Sequence, residues 1–259
     1  MKVVLFGTGA AVPGPDRDNV FLAVREGETG LLIDVGGSPA HRLLAAGWSL
    51  DQLKAVLLTH RHPDHLYGFP SLIQTLVLTE RTDRLVVYGP REALDISRAL
   101  LRTVRLSSAD RPFPVEWGYL PAGRPGGPFA LGSLVLDTIP SDHCVESVAV
   151  RISADDGARR LIYTSDTAPF PALVDLARGA DVLIHEATYL ARDAALARSY
   201  GHSTAAQAAE VALKAGAKKL VLVHLEGTPV ADTAAFRREA EAVLGGPVTV
   251  GQDGLNFEL

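Results

Sequence analysis

The sequence predicts an α/β protein in which helices cover the outer faces of β-sheets. Short apolar runs of strand length alternate with amphipathic stretches of helix length in both halves of the chain. Glycine and proline separate these runs, as they do at the ends of strands and helices. The chain has 259 residues, of which 47% are hydrophobic, so it can bury a sizeable core. We predict a single domain over residues 1–259.

The individual elements follow from the composition of each run. Strands are predicted at residues 3–6, 31–35, 54–59, 85–88, 134–139, 148–152, 161–164, 182–185, 220–224 and 247–250. Helices are predicted at residues 38–47, 91–105, 171–178, 203–215 and 232–244. Ser38 is the expected N-cap of the first helix and Gly47 its end. The strongest loop signal is the glycine- and proline-rich segment 121–132.

Charge limits the class of partner. The net charge is −5, which argues against a protein that coats nucleic acid through a broad basic face. A local basic groove remains compatible with that value, because net charge does not report how charges are distributed. Three arginines, Arg98, Arg102 and Arg105, fall on related faces of the predicted helix 91–105.

Cysteine count and the first residues bear on the cellular setting. Cys144 is the single cysteine, which excludes an intrachain disulfide and a thiolate metal cluster. We expect it to be buried and inert, pointing away from its neighbour His143. The apolar run near the start, residues 3–6, is too short for a signal peptide or a membrane span. A cytoplasmic protein with no membrane partner is expected.

The segment that carries chemistry is THRHPDH, residues 59–65, directly after a predicted strand. It places four metal-binding side chains within six residues: His60, His62, Asp64 and His65. Imidazole and carboxylate groups are good ligands for zinc, manganese or iron. A loop at a strand end can turn alternate side chains toward one point, whereas one helix face cannot collect all four. The segment therefore predicts a metal site rather than a solvated turn.

This segment resembles the H-x-H-x-D-H signature of the metallo-β-lactamase superfamily. The resemblance covers nearly the whole chain and implies a four-layer αββα sandwich, with two sheets face to face and helices on both outer sides. It implies that Asp34, in LLIDVGG, supports the metal loop without binding metal. It also implies three further ligands, each after a predicted strand: His143 in PSDHC, Asp166 in YTSDT and His224 in LVLVHL.

The resemblance implies a centre with two divalent metal ions. One site is expected from His60, His62 and His143, the second from Asp64, His65 and His224, with Asp166 bridging them. Zinc is the expected metal, and manganese or iron are alternatives. Such a pair of ions can hold a hydroxide between them as the nucleophile. Asp64 is also expected to act in catalysis, as a hydrogen-bond acceptor that orients the nucleophile.

Further segments resemble the ribonuclease Z-like branch of this superfamily. They are GTGAAVP at residues 7–13, HLYGFPSLIQ at 65–74, HEAT at 185–188 and HST at 202–204. The resemblance implies a phosphodiesterase or nuclease in which His202 stabilises or protonates the leaving group. Glu186 is expected to orient His202 by a hydrogen bond. His185 is expected to pack and form hydrogen bonds, and His41 is left without a role.

Two departures from the tRNA-processing enzymes bear on the substrate. In those enzymes a long arm that grips tRNA lies between the third histidine and the bridging aspartate. Here His143 and Asp166 are 23 positions apart, which leaves room for a hairpin and little else. The segment LEGTPV after His224 also lacks the Ser-x-Arg-Tyr type of continuation. Both departures favour a small or unstructured phosphodiester substrate, either a small molecule or RNA, over tRNA maturation.

Two other functions use the same ligands. One is hydrolysis of carbon esters, as in lactonases or thioesterases, and the other is metal-dependent binding without turnover. The HEAT and HST segments argue against the first, which has no evident need of His202. A full set of seven ligands argues against the second, because a structural role does not need an open metal position. The resemblance also implies a homodimer, with the exposed faces of residues 66–78 as contacts.

Overall fold

Two seven-stranded sheets form the centre of the structure, a computed structural model that describes residues 1–154, 157–226 and 233–259. In spatial order, the first sheet consists of β14 (Asn256–Glu258), β1 (Lys2–Gly7), β2 (Phe21–Glu26), β3 (Thr29–Ile33), β4 (Leu53–Leu57), β5 (Leu85–Gly89) and β6 (Val115–Tyr119). The second consists of β13 (Thr249–Val250), β12 (Leu220–Val223), β11 (Val182–Glu186), β10 (Arg160–Tyr163), β9 (Val148–Ala154), β8 (Leu134–Pro140) and β7 (Gly126–Leu131).

The helices lie in two groups along the chain. Those of the first half are α1 (Pro39–Ala45), α2 (Pro63–Leu66), α3 (Phe69–Leu78) and α4 (Arg91–Thr103). Those of the second half are α5 (Pro171–Leu176), α6 (Ala194–Tyr200), α7 (Ala205–Ala215) and α8 (Ala234–Leu244). In the part of the chain that the structure describes, no helix combines the length and the apolar character needed to cross a membrane.

Strand β1 shows how alternate side chains build the layers. Val3 and Leu5 enter the core between the two sheets, while Val4 and Phe6 enter a second core shared with α1, α3 and α4. A third core lies between the second sheet and α5, α7 and α8. Strands covered on both faces carry apolar residues at successive positions, which is why they appear in the sequence as unbroken apolar runs. The predicted four-layer αββα sandwich is confirmed.

The predicted loop at residues 121–132 is wrong in its second half. Residues 126–131 form β7, which pairs antiparallel with β8 at the edge of the second sheet. The register shifts between Gly126 and Phe129, where the glycines and Pro128 lie. A proline has no N–H to donate, but an edge strand tolerates it because one side of the strand needs no partner.

Helix ends also differ from the predictions. The helix predicted from residue 203 begins at Ala205, and its N-cap is Thr204, whose hydroxyl accepts a hydrogen bond from the N–H of Gln207. Ser38 precedes α1 as predicted but makes no side-chain capping bond. The predicted start of the last helix, residue 232, lies outside the described residues, as do residues 227–230 of the segment after His224. The sequence pattern missed β2, β6, β14, α2, α3 and α6.

The segment between His143 and Asp166 is short, as its sequence indicates. It contains β9 and β10, which pair antiparallel through Ser153 and Arg160 at one end and Val150 and Tyr163 at the other. Among the described residues of this segment there is no further helix or strand.

Candidate metal centre and catalytic site

The predicted site residues meet where strands of both sheets end. His60 follows β4, and Asp64 and His65 lie on α2 just beyond it. Asp166 follows β10 and His224 follows β12 directly, while His143 lies in the turn after β8. Strands β10, β11 and β12 run parallel, and so do β3, β4 and β5. Their carboxyl ends therefore point to the same edge of the sandwich, and the side chains that follow them converge.

The first cluster consists of three imidazoles whose nitrogens nearly touch. His60 Nε2 lies 3.0 Å from His62 Nδ1, and His143 Nε2 lies 3.3 Å from the same nitrogen. Ligand nitrogens about 2.0–2.1 Å from a tetrahedral zinc ion lie roughly 3.3 Å apart. Burial lowers the pKa of all three histidines, most strongly that of His60. Neutral imidazoles offer the lone pairs that a metal ion requires.

The second cluster lies beside the first and shares Asp166 with it. Asp166 Oδ2 is 3.3 Å from His224 Nε2, 3.4 Å from His65 Nε2 and 3.7 Å from His60 Nε2. Asp64 Oδ2 lies 3.4 Å from His65 Nε2 and 3.7 Å from His224 Nε2. The ligand atoms fall into overlapping groups within 4.8 Å of one another, formed by His60, His62, His143 and Asp166 and by Asp64, His65 and His224.

A layer of hydrogen bonds orients these rings. Asp34 is fully buried and accepts hydrogen bonds from the Thr59 N–H, the Thr59 hydroxyl and His65 Nδ1, at 2.8, 2.9 and 2.8 Å. His143 Nδ1 donates to the carbonyl oxygen of Gly201 at 2.9 Å. Each contact fixes a proton on Nδ1, so that Nε2 presents its lone pair to the cluster.

Thr188 continues this layer around the second cluster. Its hydroxyl donates to Glu186 Oε2 at 2.8 Å and therefore accepts from His224 Nδ1, also at 2.8 Å. His224 Nε2 is thus turned toward Asp64 and Asp166. The sequence analysis missed Thr188, although it is the last residue of the HEAT segment.

Unsatisfied atoms indicate that the cluster is built around cations. Among the described residues, His65 Nε2, His224 Nε2 and Asp166 Oδ1 are buried and have no hydrogen-bond partner. Burial lowers the pKa of His65, but Asp166 and Asp34 outweigh it, and the net direction is well above the ordinary value. A cation among these groups would satisfy the orphaned atoms and the two carboxylates together. The residues present therefore fit divalent metal ions.

His202 and Glu186 form a pair at the wall of the same cavity. His202 Nδ1 lies 2.8 Å from Glu186 Oε1, and the ring of His202 stacks on that of His224 at 5.4 Å between centroids. Glu186 is buried and also accepts from the N–H groups of Thr167 and Thr188. Burial lowers the pKa of His202, but Glu186 more than compensates and raises it to about 9. His202 therefore borders the cluster with its Nδ1 held by Glu186.

The backbone is unusual at several of these strand ends. Asp34, Ser165 and His224 have φ values of 59°, 53° and 58°, in the left-handed region that residues other than glycine seldom adopt. Such conformations persist where surrounding contacts hold them and are concentrated at functional sites.

The prediction that Cys144 is buried and points away from the site is wrong. It is exposed, and its Sγ lies 3.7 Å from His143 Nε2 and 4.0 Å from His62 Nε2. The prediction assumed an extended chain at this point, whereas residues 141–146 form a turn after β8. Cys144 lines a cavity of about 430 Å³ together with Tyr189, Tyr200 and most of the predicted ligands. His185 is buried, as expected, and its Nδ1 donates to the carbonyl oxygen of Glu186 at 2.7 Å.

Comparison with known proteins places this architecture in a family. The profile of the Beta-lactamase superfamily domain matches residues 29–225. The protein named Ribonuclease Z from Gemmatimonas aurantiaca is 30% identical over an alignment that covers 100% of this chain and 96% of that protein. The chain belongs to the metallo-β-lactamase superfamily, in its ribonuclease Z-like branch. This ribonuclease Z-like chain also shares its fold with two solved structures that are each 24% identical, with TM-scores of 0.81.

Those two structures are similar along their whole length. One is the metallo-beta-lactamase fold protein YhfI from Bacillus subtilis, with 99% of this chain and 98% of that chain covered. The other is the short form of human tRNase Z, with 100% and 99% covered. The alignment with the Gemmatimonas relative runs over 307 positions against 259 residues here, so about 48 of its positions have no counterpart in this ribonuclease Z-like chain.

Proposed function

We propose that this protein is a metal-dependent phosphodiesterase that cleaves small or unstructured phosphodiester substrates, including RNA. The observation that carries the proposal is the His202–Glu186 pair, in which a buried carboxylate holds an imidazole beside a cluster fit for two cations. Cleavage of a phosphodiester places negative charge on the nonbridging oxygens and the leaving oxygen. A site with fixed positive charge at both places matches that demand.

The seven predicted ligands form two groups, each suited to one metal ion. His60, His62 and His143 would hold one divalent ion, Asp64, His65 and His224 a second, and Asp166 would contact both. Two ions in these positions, most suitably zinc, would polarise the phosphodiester and lower the pKa of a water molecule to near neutrality. Asp64 offers a carboxylate oxygen at the edge of the cavity that can accept a hydrogen bond from the attacking water.

His202 supplies the proton for the leaving oxygen. Its Nδ1 is committed to Glu186, so its Nε2–H is the atom left to point toward a bound substrate. Glu186 is positioned by two N–H groups and the Thr188 hydroxyl, which prevents it from turning away. A carbon-ester hydrolase would have less use for this pair, because an activated ester leaving group needs no proton from the enzyme.

The size of the substrate follows from what surrounds the site. The cavity is open and holds about 430 Å³, enough for a dinucleotide-sized group near the cluster. The short β9–β10 segment leaves little chain between His143 and Asp166 to form an arm over a folded RNA. Relatives named Ribonuclease Z support RNA as the class of substrate, and the missing chain supports an unstructured form of it.

The deciding experiment is hydrolysis of bis(p-nitrophenyl) phosphate by protein loaded with zinc or manganese. We expect Asp64→Ala to abolish turnover. On oligouridine, whose alkoxide leaving group needs a proton, His202→Ala should lower kcat by roughly 10²–10⁴, the range for loss of a general acid. His41→Ala is the matched control for His202→Ala, because His41 is exposed on α1 and contributes no predicted function. Asp175→Ala, on exposed α5, is the matched control for Asp64→Ala.

Absence of turnover with either metal, despite two bound equivalents, would contradict the proposal and direct the assay to lactones and thioesters. Oligouridine cleavage that does not depend on His202 would contradict the role of His202 as the proton donor. Binding of phosphodiesters without any hydrolysis would indicate a binding protein.

We also propose that the protein forms a homodimer through the face of residues 66–78. Tyr67, just before α3, and Leu78, its last residue, are 50% and 75% exposed and offer apolar surface to a second chain. Light scattering of the eluted protein should give the mass of two chains, and Leu78→Glu should give that of one. Val104→Glu, at another exposed apolar position, is the control and should leave the mass unchanged.

A further inference from the structure

Helix α4 carries a stripe of arginines on the side of the first sheet that ends in β6. Arg91, Arg98 and Arg102 are spaced by seven and four positions, which places them on one side of α4, and Arg105 lies two residues after the helix ends at Thr103. Residues 91–111 contain five arginines and three acidic residues, a net charge of +2, whereas the whole chain carries −5. A basic surface therefore stands out against an acidic protein.

Aromatic residues of β6 hold two of these arginines in place. The guanidinium carbon of Arg91 lies 4.9 Å from the ring centre of Tyr119, and that of Arg98 lies 4.7 Å from the ring centre of Trp117. Trp117 and Tyr119 are alternate residues of one strand and so face the same side. A guanidinium stacked on an aromatic ring has its plane fixed, and its N–H edges remain free to bind phosphate.

Carboxylates neutralise only part of the stripe. Asp95 pairs with Arg98 at 3.0 Å. Both side chains are exposed, so the pair contributes little to stability. In the described part of the chain, Arg91, Arg102 and Arg105 form no ion pair. These side chains are available to an anionic partner.

The far end of the stripe forms a cavity suited to a phosphate group. It has a volume of about 220 Å³ and is lined by Arg98, Arg102, Arg111, Ser107, Ser108, Leu101 and Trp117. Arg111 is anchored by hydrogen bonds from its Nε to the carbonyl oxygens of Leu106 and Ser107, at 2.9 and 3.3 Å. Among the described residues no acidic side chain lines this cavity, although the Ser107 hydroxyl donates to Asp110 at 2.6 Å. Guanidinium and hydroxyl groups around a common space are the usual donors to phosphate.

The first turn of α4, where the stripe begins, contacts the loop of residues 59–65. Arg61 lies between His60 and His62, and its Nε pairs with Glu92 in the first turn of α4 at 2.7 Å. The thirteen residues of α4 extend about 20 Å at 1.5 Å per residue. The stripe thus begins beside the site and continues away from it along the edge of the sandwich.

We propose that this arginine stripe binds the phosphate backbone of a single-stranded nucleic acid whose cleaved bond lies at the metal cluster. The proposal rests on the phosphodiesterase function and identifies its substrate as a strand that extends beyond the cavity. Arginines that stack on aromatic rings bind the regularly spaced phosphates of a nucleic-acid backbone and do not distinguish the bases. The stripe supplies binding energy on the protein surface that does not require a long arm.

The test is binding of fluorescein-labelled twelve-nucleotide oligouridine, followed by anisotropy, to the zinc-loaded Asp64→Ala protein, which should not cut the strand. We expect Arg98→Gln/Arg102→Gln to weaken binding roughly tenfold at 50 mM salt. The slope of log affinity against log salt should fall by about 1.4, at about 0.7 for each lost phosphate contact. Arg237→Gln/Arg238→Gln removes the same charge from exposed α8 and should leave binding unchanged.

Equal affinity of the stripe variant and its parent would overturn the proposal, as would an equal loss in the α8 control. Arg102→Gln alone, at an exposed position, preserves the test if the double variant is unstable, with an expected fall in slope of about 0.7. If oligothymidine binds as tightly as oligouridine, the stripe binds single-stranded DNA and RNA alike. If oligothymidine binds more weakly, the stripe prefers RNA. Binding that depends on the stripe, in a protein that does not hydrolyse bis(p-nitrophenyl) phosphate, would contradict the phosphodiesterase function. It would still support the proposal that the stripe binds single strands.

Discussion

At the residue scale, three histidines of the cluster depend on the atom that their other ring nitrogen contacts. His65 depends on Asp34, His143 on the carbonyl oxygen of Gly201, and His224 on Thr188. Such partners fix the tautomer and the angle of the ring, and their loss commonly lowers metal affinity. Thr188 is the most informative of them, because the same hydroxyl also contacts Glu186.

Thr188→Val removes that hydroxyl while keeping the shape of the side chain. We expect affinity for one of two zinc ions to fall by roughly 10–100-fold, because His224 loses its acceptor. Calorimetric titration of the metal-free protein with zinc measures this directly. Thr188→Ser restores the hydroxyl and should restore the affinity. Unchanged affinity in the valine variant would show that His224 is oriented by packing alone.

The exposed thiol of Cys144 gives a second prediction at this scale. Because its Sγ lies within 4.0 Å of His62 and His143, a carboxamidomethyl group on this sulfur would occupy the mouth of the cavity. Treatment with iodoacetamide should therefore remove most phosphodiesterase activity, and substrate analogues should slow the inactivation. A Cys144→Ala protein should be insensitive to the reagent. Full activity after complete alkylation would contradict the cavity as the substrate site.

At the element scale, the end of α6 packs against His143 of the first cluster. Gly201 caps this helix with φ of 71°, and a Cβ there would lie 2.9 Å from His143 Cα. Gly245 caps α8 with φ of 72°, but a Cβ there would have no neighbour within 4 Å. The two positions share the same backbone conformation and differ in what surrounds them.

Alanine at each position separates these effects. Gly245→Ala should cost about 1–2 kcal/mol of the free energy of unfolding, from the left-handed conformation alone. Gly201→Ala should cost roughly 1–3 kcal/mol more, from the contact with His143, and should also weaken metal binding. Urea denaturation with zinc titration measures both. Equal costs would mean that the His143 turn moves aside freely.

At the scale of the whole molecule, Asp181 joins three strands of the second sheet at the end of the sheet that lies opposite the cluster. Its carboxylate accepts from Lys218 Nζ at 2.7 Å and from the N–H of Arg160 at 2.8 Å, connecting the starts of β10, β11 and β12. The hydrogen bond from Lys218, with help from the Arg160 N–H, lowers the pKa of Asp181 below its ordinary value of 3.8. A carboxylate with a lowered pKa stabilises the folded state only while it is ionised.

Asp181→Asn should therefore lower the free energy of unfolding by roughly 0.5–1 kcal/mol at neutral pH, a small value because the pair is partly exposed. The difference should be complete above the unfolded pKa of about 3.9 and should vanish as pH falls through the lower folded value. Urea denaturation of both proteins between pH 2.5 and 7 measures it. Asp175→Asn is the control, because the exposed carboxylate of Asp175 pairs with Arg178. A difference that persists at the lowest pH would contradict the ionic origin.

The sequence by itself determined the features that depend on neighbouring residues. His60, His62, Asp64 and His65 fall within one short loop, so their spacing alone indicates a metal site. Strands such as β4 and β12 are buried on both faces, and their unbroken apolar runs can be recognised without a structure. The HEAT and HST segments carried the resemblance that indicated the branch of the family.

Only the tertiary structure decided which distant residues meet. Asp166 and His224 belong to the cluster because parallel strands bring their carboxyl ends to one edge, and Thr188 enters through the same pairing. The direction of Cys144, the pairing of β7 as an edge strand and the stacking of Arg98 on Trp117 likewise depend on neighbours far away in the chain. A sequence sets residue types and local periodicity, whereas convergence in space depends on how strands pair and layers pack, and long-range contacts fix both.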